Sequence, residues 1–156
     1  MMYILMRILG HTHSDIGITR QRTIYSLKTV LPITVALIIA AGLFLLLEKP
    51  RFSPTEGVGF YIFYILISCP AQELLFRGIL SRILQELRLH RTLELGLAAV
   101  LFGYVHIIYG DILTVVIMGI VGLFWYRAYQ QSLNVIGVTI SHVILGVMTI
   151  ALGIID

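Results

Sequence analysis

Pro70-Ala71-Gln72-Glu73-Leu74-Leu75-Phe76-Arg77-Gly78 sets a carboxylate and a guanidinium inside a run of residues apolar enough to lie in a bilayer. A charged side chain near the middle of a spanning helix costs roughly 2.5–3.5 kcal/mol even on the lenient insertion scale, so Glu73 and Arg77 are expected to face protein or a wet cavity. On a helix the two sit one turn apart on a shared face, with the acid on the N-terminal side that an ion pair prefers. The stretch therefore predicts its own surroundings: other helices must pack around it.

The composition agrees. The chain has 156 residues, 58% hydrophobic and only 12% charged, where a soluble domain carries roughly 25% charged residues. An ordinary soluble enzyme is excluded, and the expectation is an all-α polytopic membrane helix bundle of about five transmembrane spans of about 20 residues each. The net charge of +3 does not point to nucleic acid, because the basic residues mark the ends of apolar segments and form no patch. Cys69 is the single cysteine, so no intrachain disulfide is expected. Residues 1–9 are apolar but carry Arg7 where a signal peptide would not, and they lack a small-residue cleavage site.

Working outward, residues 1–28 read as a cytosolic or interfacial lead-in and residues 29–156 as the transmembrane domain. His11 and His13 lie in the lead-in, and two histidines in a polar tail more often bind nothing than a metal. The spans are expected at 30–47, with Pro32 near the start, and at 57–84, bent at Pro70. The others are expected at 93–109, 112–126 and 133–155, with 127–132 as a loop and Asn134 capping the last helix. Eight of the 11 Lys and Arg residues (Arg7, Arg20, Arg22, Lys28, Arg82, Arg88, Arg91 and Arg127) fall on one side of this arrangement. Lys49 and Arg51 fall on the other, which puts the N-terminus in the cytoplasm.

The polar residues left inside the spans are Gln72, Glu73, Arg77, His106 and His142. Each has a plain reading: Glu73 and Arg77 as a structural ion pair, the histidines as neutral core residues. The aromatic run 60–64 reads as an interfacial belt.

Taken together, the spacing says more. Gln72-Glu73-x-x-x-Arg77-Gly78, then Phe102-x-x-x-His106, then His142 in the last span resembles the CPBP intramembrane protease family. That family includes the CAAX prenyl proteases and bacterial relatives linked to bacteriocin processing and self-immunity. The resemblance runs from about residue 57 to the end, and Glu-Leu-Leu-Phe-Arg-Gly is its specific part. It implies an intramembrane endopeptidase in the bacterial plasma membrane, cleaving a membrane-anchored or amphipathic peptide of CAAX or leader type. In the roles it implies, Glu73 and His106 handle water, His142 is the oxyanion donor, Arg77 positions Glu73, and the cavity opens toward the cytoplasm. No cofactor is expected. A Glu with two His is a plausible zinc set, but the metal-free reading is preferred.

Two positions depart from the pattern. Gln72 stands where the family has the first Glu of Glu-Glu-x-x-x-Arg, and its amide can hold water but cannot take a proton. Gly146 stands four residues after His142, where the family has Asn or Asp, and offers no side-chain donor. Either Glu73 serves as the base with Gln72 as a donor, or the chain has lost hydrolysis and binds a peptide or membrane partner, as in bacteriocin self-immunity. A small transporter using Glu73, His106 and His142 as a proton relay is a further alternative, against which the lack of an internal repeat counts.

Overall fold

The computed structural model describes residues 2–8 and 10–155. Helices α1 (Met2–Ile8), α2 (Thr23–Leu47), α3 (Val58–Glu86), α4 (Arg91–Tyr109), α5 (Ile112–Ser132) and α6 (Val135–Ala151) follow in chain order, with a 3-10 turn at Ser14–Ile16 and no strand among the described residues. Helices α2 to α5 are each long and apolar enough to cross a membrane, and α6 is a shorter apolar helix of 17 residues. Their outer surfaces are as greasy as their cores, with Leu46 82% and Ile108 79% exposed. Side chains of that kind, left uncovered along long helices, match lipid tails and not water. The protein is an integral membrane helix bundle.

Close backbone approach holds the bundle together, since lipid supplies no hydrophobic drive between helices. Helix α4 packs along α5, and α2 packs along α6 and α5. At the first contact a side chain on Gly103 would run into the Val115 carbonyl, and at the second a side chain on Gly137 would run into the backbone of Ser26. Only glycine lets these helices lie so near.

Helix α2 begins at Thr23, inside the stretch expected as lead-in, and Pro32 lies in its interior. The rest of the N-terminal segment is tied to the bundle. Ile16 packs beside Ile79, His11 pairs with Glu86 at 2.8 Å, and Asn134 Nδ2 donates to the carbonyls of Thr19 and Gln21 at 2.7 and 2.9 Å. Asn134 also caps α6 as expected, accepting from the Ile136 N–H at 2.9 Å.

The loop expected at 127–132 is instead the last turn and a half of α5. Its Gln130 is used in packing: Nε2 donates to buried Glu94 at 2.9 Å, on the same oxygen that accepts from the hydroxyl of Tyr126, just before this stretch, at 2.5 Å. Helix α3 answers Pro70 differently from the expected simple bend. It widens into π turns on either side, at Tyr64–Ser68 and Leu74–Ile79, and the Cys69 N–H reaches back five residues to the Tyr64 carbonyl. Such widened turns re-aim side chains and recur at functional sites.

Candidate active site

Glu73 and Arg77 leave lipid in the way their cost demands. Both lie inside the bundle, 0% and 1% exposed. Arg77 Nε stands 3.1 Å from Glu73 Oε2. The N–H is not aimed along that contact, so the pair is held by charge and not by an aligned hydrogen bond. The guanidinium also lies 4.0 Å over the Phe102 ring and 5.4 Å from that of Trp125, a cation–π seat that replaces part of its lost hydration.

The other carboxylate oxygen is taken by the last helix. Glu73 Oε1 lies 2.7 Å from His142 Nδ1, bringing together α3 and α6. A carboxylate can only accept, so His142 Nδ1 carries a proton and Nε2 is the free nitrogen. His106 is fixed by the same logic with a different partner. Its helix tightens to a 3-10 turn at Val105–Tyr109, and its Nδ1 lies 2.8 Å from the Phe102 carbonyl, which likewise leaves Nε2 free. Both imidazoles lean on one phenyl ring: Phe102 is 5.0 Å from the His106 ring and 5.9 Å from that of His142.

His106, His142 and Gln72 all line one cavity of about 300 Å³. Glu73 is not among the residues that line it, and among the described residues no Asp or Glu is. Gln72 Nε2 donates to Ser68 Oγ at 3.0 Å, while its Oε1 is buried without a protein partner. The expected residues thus assemble, but in two layers: His106, His142 and Gln72 face the space, and Glu73 and Arg77 stand behind His142.

The chain matches the type II CAAX prenyl endopeptidase Rce1-like family over residues 54–148. It is a member of that family. No curated protein and no solved structure matches it. The Rce1-like family is a family of CAAX-type intramembrane proteases, and the matched segment contains Glu73, Arg77, His106 and His142.

Both oxygens of Glu73 are engaged, and among the described residues no three His, Cys, Asp or Glu side chains are placed to hold a metal ion. The cavity also lies at one end of the bundle. It is lined by Phe44, Arg51, Tyr109, Leu113 and Ile154, from the end opposite Lys28 and Arg127.

Three cavity features escape sequence reading. Trp125 stacks 4.7 Å from His142 and donates from Nε1 to Ser141 Oγ at 3.0 Å, and Ser141 in turn meets Thr34 at 2.7 Å. Tyr64, expected in an aromatic belt, is 8% exposed and lines the cavity, while Phe63 beside it is 54% exposed. No one-dimensional signal separates these two neighbours. The widened turn that begins at Tyr64 is a local feature that only the fold displays.

Proposed function

We propose that the protein is an intramembrane endopeptidase that hydrolyses a membrane-associated peptide in this cavity. The observation that carries the reading is the pairing of two imidazoles on one cavity, each with Nδ1 tied to an acceptor behind it, a neutral carbonyl for His106 and a carboxylate for His142. A neutral carbonyl behind His106 leaves Nε2 as a lone pair, suited to take a proton. The carboxylate behind His142 accepts from Nδ1, so a proton on the cavity-facing Nε2 makes that nitrogen a donor suited to face negative charge.

The reaction follows from these roles. Water gives one hydrogen bond to His106 Nε2 and the other to the unpartnered Gln72 Oε1, and its oxygen attacks the peptide carbonyl carbon. The water proton passes to His106, and the carbonyl electron pair moves onto oxygen beside His142 Nε2–H. When the C=O re-forms, the C–N bond breaks and His106 returns the proton to the leaving nitrogen, giving a carboxylic acid and an amine. Glu73 acts through His142, holding its tautomer and ring orientation, and Arg77 positions Glu73 through its other oxygen. This replaces the sequence expectation that Glu73 meets water itself.

The basic residues favour a cytoplasmic N-terminus, and with it a cavity that opens on the far face of the membrane. The substrate is then a peptide presented there.

Purified protein in detergent, given a farnesylated peptide with a CAAX-type end and a leader-bearing amphipathic peptide, tests the activity. Wild type is expected to cleave one of them, and His106→Ala to lose roughly 10²–10⁴-fold in kcat. Equal rates for the two proteins would overturn the reading. The placement of Gln72 on the cavity with Glu73 behind it favours one rival, a peptide-binding relative without hydrolysis. Silent wild type together with cleavage by Gln72→Glu would establish that rival.

A further inference from the structure

An oxyanion held by one imidazole N–H is held from one side only, and the helical position one turn beyond His142 is Gly146, which has nothing to donate. Yet that position is not empty space. A Cβ built on Gly146 would land on the hydroxyl of Tyr64, with the ring carbons Cζ and Cε1 at 2.7 and 2.8 Å. Tyr64 and Gly146 both line the cavity, and the Tyr64 ring stands edge-on to the His142 ring at 6.1 Å.

Two features aim this hydroxyl. The widened turn Tyr64–Ser68 is where α3 departs from regular helix, and Phe60 stacks on the Tyr64 ring at 5.8 Å, fixing its plane. The buried Cys69 thiol is within hydrogen-bonding reach of the same oxygen. The phenol gives its hydrogen to that sulfur when the cavity is empty, and a developing oxyanion on the cavity side is the stronger acceptor.

We propose that the Tyr64 hydroxyl is the second donor to the oxyanion, supplied from α3 across the cavity in the volume that a side chain at position 146 would otherwise fill. The proposal rests on the protease reading above. The phenol keeps its proton and gives only a hydrogen bond, which strengthens as the substrate oxygen gains charge. The ligand it recognises is a peptide carbonyl on its way to a tetrahedral centre. Tyr64 and Gly146 are therefore a matched pair: a larger residue at 146 excludes the phenol, and the phenol requires the glycine.

Tyr64→Phe keeps the ring and removes the donor. Loss of roughly 10²–10³-fold in kcat with KM and thermal unfolding temperature unchanged is expected on the cleaved peptide. The double variant Tyr64→Ala with Gly146→Asn should recover part of that loss, because an amide donor then enters the vacated volume, whereas either change alone should not.

A second measurement does not need turnover. A peptide phosphinate, whose oxygens imitate the tetrahedral centre, should bind Tyr64→Phe about tenfold to a hundredfold more weakly, with affinity for uncleaved peptide unaltered. Wild-type kcat and phosphinate affinity in Tyr64→Phe, with His106→Ala inactive, would overturn the Tyr64 role and leave the protease standing. Equal cleavage by wild type and His106→Ala, with phosphinate bound no better than peptide, would overturn both.

Discussion

At the scale of single residues, charge burial is the strongest constraint in the molecule. Glu73 and Arg77 are almost without exposure, and each is bought into the bundle by the other together with His142 and two aromatic faces. Removing one partner leaves a bare charge in a low-dielectric interior. Arg77→Ala is therefore expected to lower stability by about 3–5 kcal/mol, measured by unfolding in detergent. Loss of under about 1 kcal/mol would mean that Glu73 is held by His142 alone. The same reasoning explains why Glu73 could be placed inside the protein from sequence but not given its partner. Cost tells a charge to hide, and says nothing about behind whom.

At the scale of elements, each helix is positioned by what happens at its ends. Asp111 caps α5, accepting from the Thr114 N–H at 2.8 Å and the Thr114 hydroxyl at 2.5 Å, and it binds Arg51 Nη2 at 2.7 Å. Arg51 belongs to the segment between α2 and α3, and its backbone N–H donates to the Gly153 carbonyl just past α6. One carboxylate thus joins three parts of the cavity end. The Thr114 hydroxyl and then the Arg51 guanidinium hold the Asp111 carboxyl below its ordinary value of 3.8, at about 2. A depressed value in the folded state means that the stabilisation is complete above about pH 4 and is lost as pH falls toward 2. The difference in melting temperature between wild type and Asp111→Asn should accordingly narrow over that window. A gap that stays constant from pH 5 to pH 2 would show that the charge contributes nothing.

At the scale of the whole molecule, the bundle has two unlike ends. One carries Lys28, Arg88 and Arg127, and the other carries the cavity with Arg51 and Tyr109. The bias of basic residues toward the cytoplasm predicts that the cavity end faces away from it. Cys69 is buried, so single cysteines introduced at exposed positions report sidedness cleanly. In intact cells a membrane-impermeant maleimide should label a cysteine at Ser53 and spare one at Arg88. The reverse pattern would place the cavity on the cytoplasmic face and reassign where the peptide is met.

The sequence by itself determined the membrane class, the helical architecture, the family and the five polar residues worth watching. Those are properties of local composition and of the cost of charge in hydrocarbon, both of which can be summed along the chain. It also revealed the Asn134 cap, because a cap acts within two or three residues. What only the tertiary structure decided was pairing. Glu73 turns to His142, 69 positions away. Residues 127–132 continue a helix in which Gln130 meets Glu94 on α4, and Tyr64 occupies the room that Gly146 leaves. Each of these depends on which helix faces which, and helix packing is set by shape at close approach, a quantity that no single stretch of sequence contains.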